Sequence, residues 1–127
     1  MKKSLVLAAA LLASFATGAH AQGDAAKGEK VFKKCQACHA VGPDAKNKVG
    51  PHLNNVVGAP IGKHAEGFKY SEALSSLGDS GKVWDEASLS EWLKNPKAFA
   101  PGNKMAFAGL KKEDEVADVI AYLATFK

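Results

Sequence analysis

The chain has 127 residues, of which 17 are basic and 13 acidic. Every basic residue is lysine, so the bidentate arginine contacts that read base edges and phosphates are missing, which argues against nucleic acid as the partner. A chain of this length holds one domain, and its two cysteines would by number alone allow a disulfide.

Lys2 and Lys3 precede an apolar run from Leu5 to Phe15, and Ala19-His20-Ala21 supplies the small residues of a cleavage site. Residues 1–21 therefore read as a secretory signal peptide, and residues 22–127 as a single mature domain exported to the periplasm. An uncleaved anchor is the competing reading, but the run is short of the ~20 residues a spanning helix needs. Loss of Lys2 and Lys3 leaves 15 lysines against 13 acids. A core this small gains from a staple or a bound group.

Asp24 can cap a first helix running from Ala25 to Phe32, with Gly28 and Phe32 on one face. Gly28 costs helix stability, and close approach of another helix would explain it. From Val41 to Lys69 the chain is rich in Gly, Pro, Asn and Lys and reads as loop. Loops so long are uncommon in compact domains unless functional, and wrapping a large planar cofactor would give them an interior. Ser71 can cap a short helix ending near Leu77, and Asp85 another from Glu86 to Lys94 that Asn95-Pro96 stops. A last helix begins near Glu113. Its apolar residues Val116, Val119, Ile120, Leu123 and Phe126 follow three-and-four spacing, and Glu113, Asp114 and Glu115 sit at the positive end of its dipole. No run alternates convincingly with period two.

Cys35-Gln36-Ala37-Cys38-His39 carries the chemistry. Two thiols one turn apart can each add to a haem vinyl group while the adjacent imidazole reaches the iron. A structural disulfide, a thioredoxin-like redox pair and half of a zinc site are the rival readings. Zinc would need His52 and His64 from loops to complete four ligands. The redox pair would need a preceding strand, where a Lys-rich helix stands. Electron transfer without binding of small molecules needs a second axial ligand, and Met105, in Pro101-Gly102-Asn103-Lys104-Met105, is the one methionine besides the initiator. His52, His64 and Lys104 are its rivals, and each would be expected to lower the potential relative to methionine.

Over nearly all of its mature length the chain resembles the class I cytochromes c, the soluble carriers of mitochondria and purple bacteria. The resemblance rests on Gly23-Asp24, Gly28, Phe32, the attachment motif, Gly50-Pro51-His52-Leu53, Gly67-Phe68-Lys69-Tyr70, Trp84, Asn95-Pro96, Pro101 to Met105 and Ile120-Ala121-Tyr122-Leu123. It implies an all-α cytochrome c fold, about four to five short helices and loops around one covalent haem c, with the N- and C-terminal helices crossing.

The resemblance further implies thioethers at Cys35 and Cys38, axial ligation by His39 and Met105, and a Pro51 carbonyl that accepts the proximal imidazole N–H. Tyr70 and Trp84 would hold a haem propionate, and Trp92, Asn103 and Phe107 would complete the pocket. Trp92 stands where the mitochondrial pattern has tyrosine, Asn103 where it has threonine and Ala59 where it often has arginine. Lys33, Lys34, Lys48, Lys104 and Lys111 would surround an exposed haem edge and dock acidic faces of redox proteins.

The function so implied is a one-electron shuttle, a monomer and not an enzyme, between a quinol-oxidising cytochrome complex and a terminal oxidase, reaction centre or other reductase. A haem enzyme or gas sensor with Met105 off the iron is a second reading, and a thiol-disulfide oxidoreductase a third.

Overall fold

The computed structural model describes residues 23–127; the expected leader and the expected mature terminus at Gln22 lie outside the described residues. Five helices follow in chain order: α1 (Ala25–Phe32), α2 (Glu72–Asp79), α3 (Glu86–Lys94), α4 (Pro96–Phe99) and α5 (Glu113–Leu123). No strand occurs among the described residues, whose β pairing is an isolated bridge between Pro60 and Val83.

The helix starts are set by local side chains. The Asp24 carboxylate accepts from the N–H groups of Ala26 and Lys27, Ser71 Oγ from Leu74 N–H, and Asp85 from Ser88 N–H. Each satisfies an otherwise unpaired donor of a first turn. α5 starts after Lys112 without a side-chain cap, and its three leading acids complement the dipole instead.

Helices α1 and α5 cross at close range. A Cβ at Gly28 would overlap the Asp118 carbonyl and come within 2.7 Å of Tyr122 Cβ, which is why no side chain fits there. The Phe32 and Tyr122 rings meet 5.5 Å apart, and Asp118 accepts the Asp24 N–H at 2.7 Å. Val116, Val119, Ile120 and Leu123 of α5 are buried against this crossing and against Leu89, Trp92 and Leu93 of α3.

Two expectations need adjustment at helix ends. Asn95-Pro96 does end α3, but it also starts α4, because Asn95 Oδ1 accepts Ala98 N–H at 3.2 Å and proline suits a first helical position. α5 stops at Leu123, so Phe126 lies beyond the helix; its ring packs on Tyr122 at 5.0 Å, and its carbonyl accepts Asn55 N–H at 2.8 Å.

The segment read as loop from 41 to 69 contains no helix, and its backbone groups find partners across the turns. The Asn54 amide bridges the Gly42 N–H and C=O at 2.8 and 2.7 Å, and Gly50 N–H donates to Cys38 C=O at 2.9 Å. Ile61, within this segment, is fully buried, so the loops contribute to the core as well as covering it.

Candidate functional site

Beyond the end of α1 the backbone makes a further tight turn, with Cys35 N–H donating to Phe32 C=O at 2.8 Å and His39 N–H to Cys35 C=O at 2.9 Å. The turn presents Cys35, Cys38 and His39 to one cavity of about 420 Å³, within the ~300–1,000 Å³ usual for small-molecule and cofactor sites. Met105, Phe107 and Lys104 supply the facing loop, and Pro51, His64, Tyr70, Trp84 and Trp92 are also in the wall. No Asp or Glu lines it among the described residues.

His39 is held by its neighbours. Its Nδ1 lies 2.7 Å from the Pro51 carbonyl, and since a carbonyl only accepts, Nδ1 carries the hydrogen and Nε2 keeps the lone pair. Burial pushes the His39 pKa down, the Pro51 hydrogen bond works against that, and Lys48 adds to the lowering. The neutral imidazole is the ligating form. Gly50 leaves the space for the ring, because a Cβ there would overlap Cε1 and lie 2.8 Å from Nδ1. Burial likewise raises the Cys35 pKa, so the side chain stays a thiol.

The donor set and its setting fit a covalent haem. Two unpaired thiols, a neutral imidazole with a fixed tautomer and a thioether meet in a cleft whose remaining wall is largely apolar, including Phe32, Leu53, Phe68, Leu74, Leu89 and Leu93. The chemistry is soft at the motif and apolar around it, as a porphyrin requires.

Polar groups cluster on one side. His64 Nε2–H donates to the His52 carbonyl at 2.7 Å, Tyr70 O–H donates to His64 Nδ1 at 3.2 Å, and Tyr70 Oη accepts Ala65 N–H at 2.9 Å. Both His64 nitrogens are thus engaged. Burial pushes the Tyr70 phenol up. Trp84 stacks on Phe99 at 5.6 Å and tilts against Trp92 at 5.5 Å.

Asn103 was expected in the pocket, and its side chain turns instead onto its own loop. It donates to the Pro96 and Ala100 carbonyls and accepts Met105 N–H. The five expected docking lysines, Lys33, Lys34, Lys48, Lys104 and Lys111, are all exposed. Lys34 and Lys104 reach the cavity rim, joined by Lys69 of Gly67-Phe68-Lys69-Tyr70, a lysine outside the expected docking set. Lys34 is paired with Glu115 at 3.0 Å, and Lys48 Nζ donates to the Gln36 carbonyl at 2.8 Å. No helix among the described residues is long and apolar enough to cross a membrane.

The Cytochrome c family model matches residues 25–127. The chain is 52% identical to cytochrome c2 of Rhodomicrobium vannielii over 123 residues, covering 97% of this chain and 94% of that protein. It is 54% identical to cytochrome c-550 of Ancylobacter novellus over 101 residues, covering 80% of this chain and 94% of that one. Among solved structures, cytochrome cH from Methylobacterium extorquens superposes with a TM-score of 0.74 at 50% identity, covering 81% of this chain and 99% of its own. Cytochrome c2 from Rhodospirillum centenum gives 0.77 at 43% identity, with 82% and 98% covered.

Proposed function

The chain belongs to the cytochrome c family, whose members bind covalent haem c and carry electrons without being enzymes, and we propose that it is a monomeric periplasmic shuttle with His/Met axial ligation. In this reading residues 1–21 direct export and are removed, Cys35 and Cys38 form the thioethers, and His39 and Met105 are the axial ligands. The observation that carries it is the Pro51 carbonyl 2.7 Å from His39 Nδ1, which leaves Nε2 as the lone-pair nitrogen in a cavity that Cys35, Cys38 and Met105 also line.

When bound, the haem supplies an iron centre that alternates between ferrous and ferric states. The protein's own residues do the rest. Pro51 fixes the His39 ring and raises its donor strength. Met105 offers a soft ligand of the kind that raises potential. Trp92, Phe107 and the apolar walls keep water from the centre, and Tyr70 with Trp84 stands on the side suited to a propionate. Lys34, Lys69 and Lys104 give the rim positive charge, which favours encounter with acidic faces. The partners this suits are a quinol-oxidising cytochrome complex as donor and an oxidase, reaction centre or other reductase as acceptor.

Expression of the full chain with haem-attachment machinery tests this reading. We expect haem that survives denaturing electrophoresis, one thioether lost in Cys35→Ala or Cys38→Ala, and an exported protein beginning at Gln22. Absence of covalent haem from the parent chain would overturn the ligand set, and a retained leader would overturn the periplasmic assignment.

A further inference from the structure

Met105 sits in a segment without helix or strand, yet both of its backbone polar groups are bonded: its N–H donates to Asn103 Oδ1 at 2.9 Å and its C=O accepts Phe107 N–H at 3.0 Å. From Asn103 to Gly109 the residues alternate, with 103, 105, 107 and 109 half-buried and 104, 106 and 108 exposed, the period of an extended chain. No strand among the described residues holds this segment. Its downstream anchor is Leu110, whose N–H donates to Leu93 C=O at 2.7 Å, five residues beyond the methionine.

The upstream anchor is Asn103, whose backbone N–H donates to Ala100 C=O at 3.0 Å and whose side chain makes three further bonds. Asn103 Nδ2 donates to Ala100 C=O at 2.9 Å and to Pro96 C=O at 3.1 Å. The amide orientation is forced, because the two carbonyls only accept and Met105 N–H only donates. Pro96 and Ala100 bracket α4 and are both buried, so the amide connects the methionine's backbone to a fixed part of the core. Gly102, at φ +89°, lets the chain turn back so that residue 103 faces the helix it has just left.

We propose that Asn103 is a positioning residue that clasps the Met105 loop to α4, and that it governs how readily the methionine sulfur gives up its place in the cavity to a small external ligand. This rests on the proposed ligation by Met105. It also separates Asn103 from the pocket role expected from sequence: with all three of its usual amide functions spent on backbone, the side chain acts through Met105 and not on the cofactor.

Imidazole titration of the purified, haem-loaded protein tests it, read in the visible spectrum together with the near-infrared band of a sulfur–iron bond. Asn103→Ala removes all three bonds and is expected to raise the imidazole association constant about tenfold while the band persists without imidazole. Asn103→Ser keeps an acceptor for Met105 N–H and replaces the two amide donors with one hydroxyl donor on a shorter side chain, so it should fall between Ala and the parent. Val116→Ala, which removes buried volume from α5 at a residue that does not line the cavity, should lower the melting temperature without moving imidazole affinity. Unchanged affinity in Asn103→Ala and Asn103→Ser, with the parent band present, would overturn the clasp alone. An affinity in Val116→Ala that rises as much as in Asn103→Ala would also overturn it. A parent protein without the band would overturn the Met105 ligation on which the clasp depends.

Discussion

Gly50 lies so close to the His39 ring that a Cβ at position 50 would overlap its Cε1. The ring cannot retreat freely, because Pro51 C=O holds its Nδ1 at 2.7 Å. A single added methyl therefore acts on the imidazole's placement as well as on packing. Gly50→Ala should destabilise the protein by about 1–3 kcal/mol and sharply reduce the yield of haem-loaded protein. Normal haem stoichiometry together with an unchanged melting curve would refute this account of the site.

The α1 and α5 crossing gives a contrasting case. A Cβ at Gly28 would overlap the Asp118 carbonyl, a rigid backbone group, and neither residue lines the cavity. Gly28→Ala should lower the melting temperature by roughly 4–8 °C for each kcal/mol of overpacking. Haem attachment should survive, which differential scanning calorimetry and a haem stain would establish together.

Charge at the cavity rim is set partly by a pair that joins the end of α1 to α5. Lys34 meets Glu115 at 3.0 Å, both partly solvent-exposed, so the pair adds little stability but masks one positive charge. Glu115→Gln should speed reduction by a negatively charged redox protein about two- to threefold at low ionic strength, and Lys104→Glu should slow it about tenfold. Stopped-flow rates at increasing salt should converge for all three proteins. Rates insensitive to both substitutions would show that this rim is not the docking face.

Burial holds the His64 imidazole below its ordinary 6.5, with the His52 carbonyl acting in the opposite direction. A histidine depressed in the folded state adds stability that is complete above about 6.5 and declines as pH falls through that value, because the unfolded chain takes up the proton first. His39 shares the direction, so a comparison isolates the part due to His64. His64→Gln should flatten the fall in melting temperature between about pH 6.5 and 5. Parallel pH profiles for variant and parent would contradict it.

Much of the fold was legible because the signals were local. Asp24, Ser71 and Asp85 announce helix starts by themselves, and the spacing of Val116, Val119, Ile120 and Leu123 declares a buried face. α4 escaped because Asn95 and Pro96 serve both as the end of one helix and the start of the next. The alternation of half-buried Met105 and Phe107 with exposed Ala106 and Ala108 is one of burial and not of polarity, so the sequence does not announce it. The motif at 35–39 marks residues that line one cavity, and Met105, Pro51, Tyr70, Trp84, Trp92 and Phe107 line that cavity too.

The remainder depends on where loops travel. Lys34 and Glu115 are 81 residues apart, and no pattern in the chain pairs them. The His52, His64 and Tyr70 cluster needs the turns that Gly62 and Gly67 make at φ +71° and +75°. The pocket role of Asn103 rests on the family resemblance; only the path of α4 shows that its amide is already engaged.

The most direct test is the spectrum of the purified ferric protein, carrying covalent haem, beside that of Met105→Ala. The account predicts a weak near-infrared sulfur–iron band in the parent that vanishes in Met105→Ala, with a lowered reduction potential in the variant. A parent without the band, or a variant that keeps both band and potential, would contradict a six-coordinate carrier ligated by His39 and Met105.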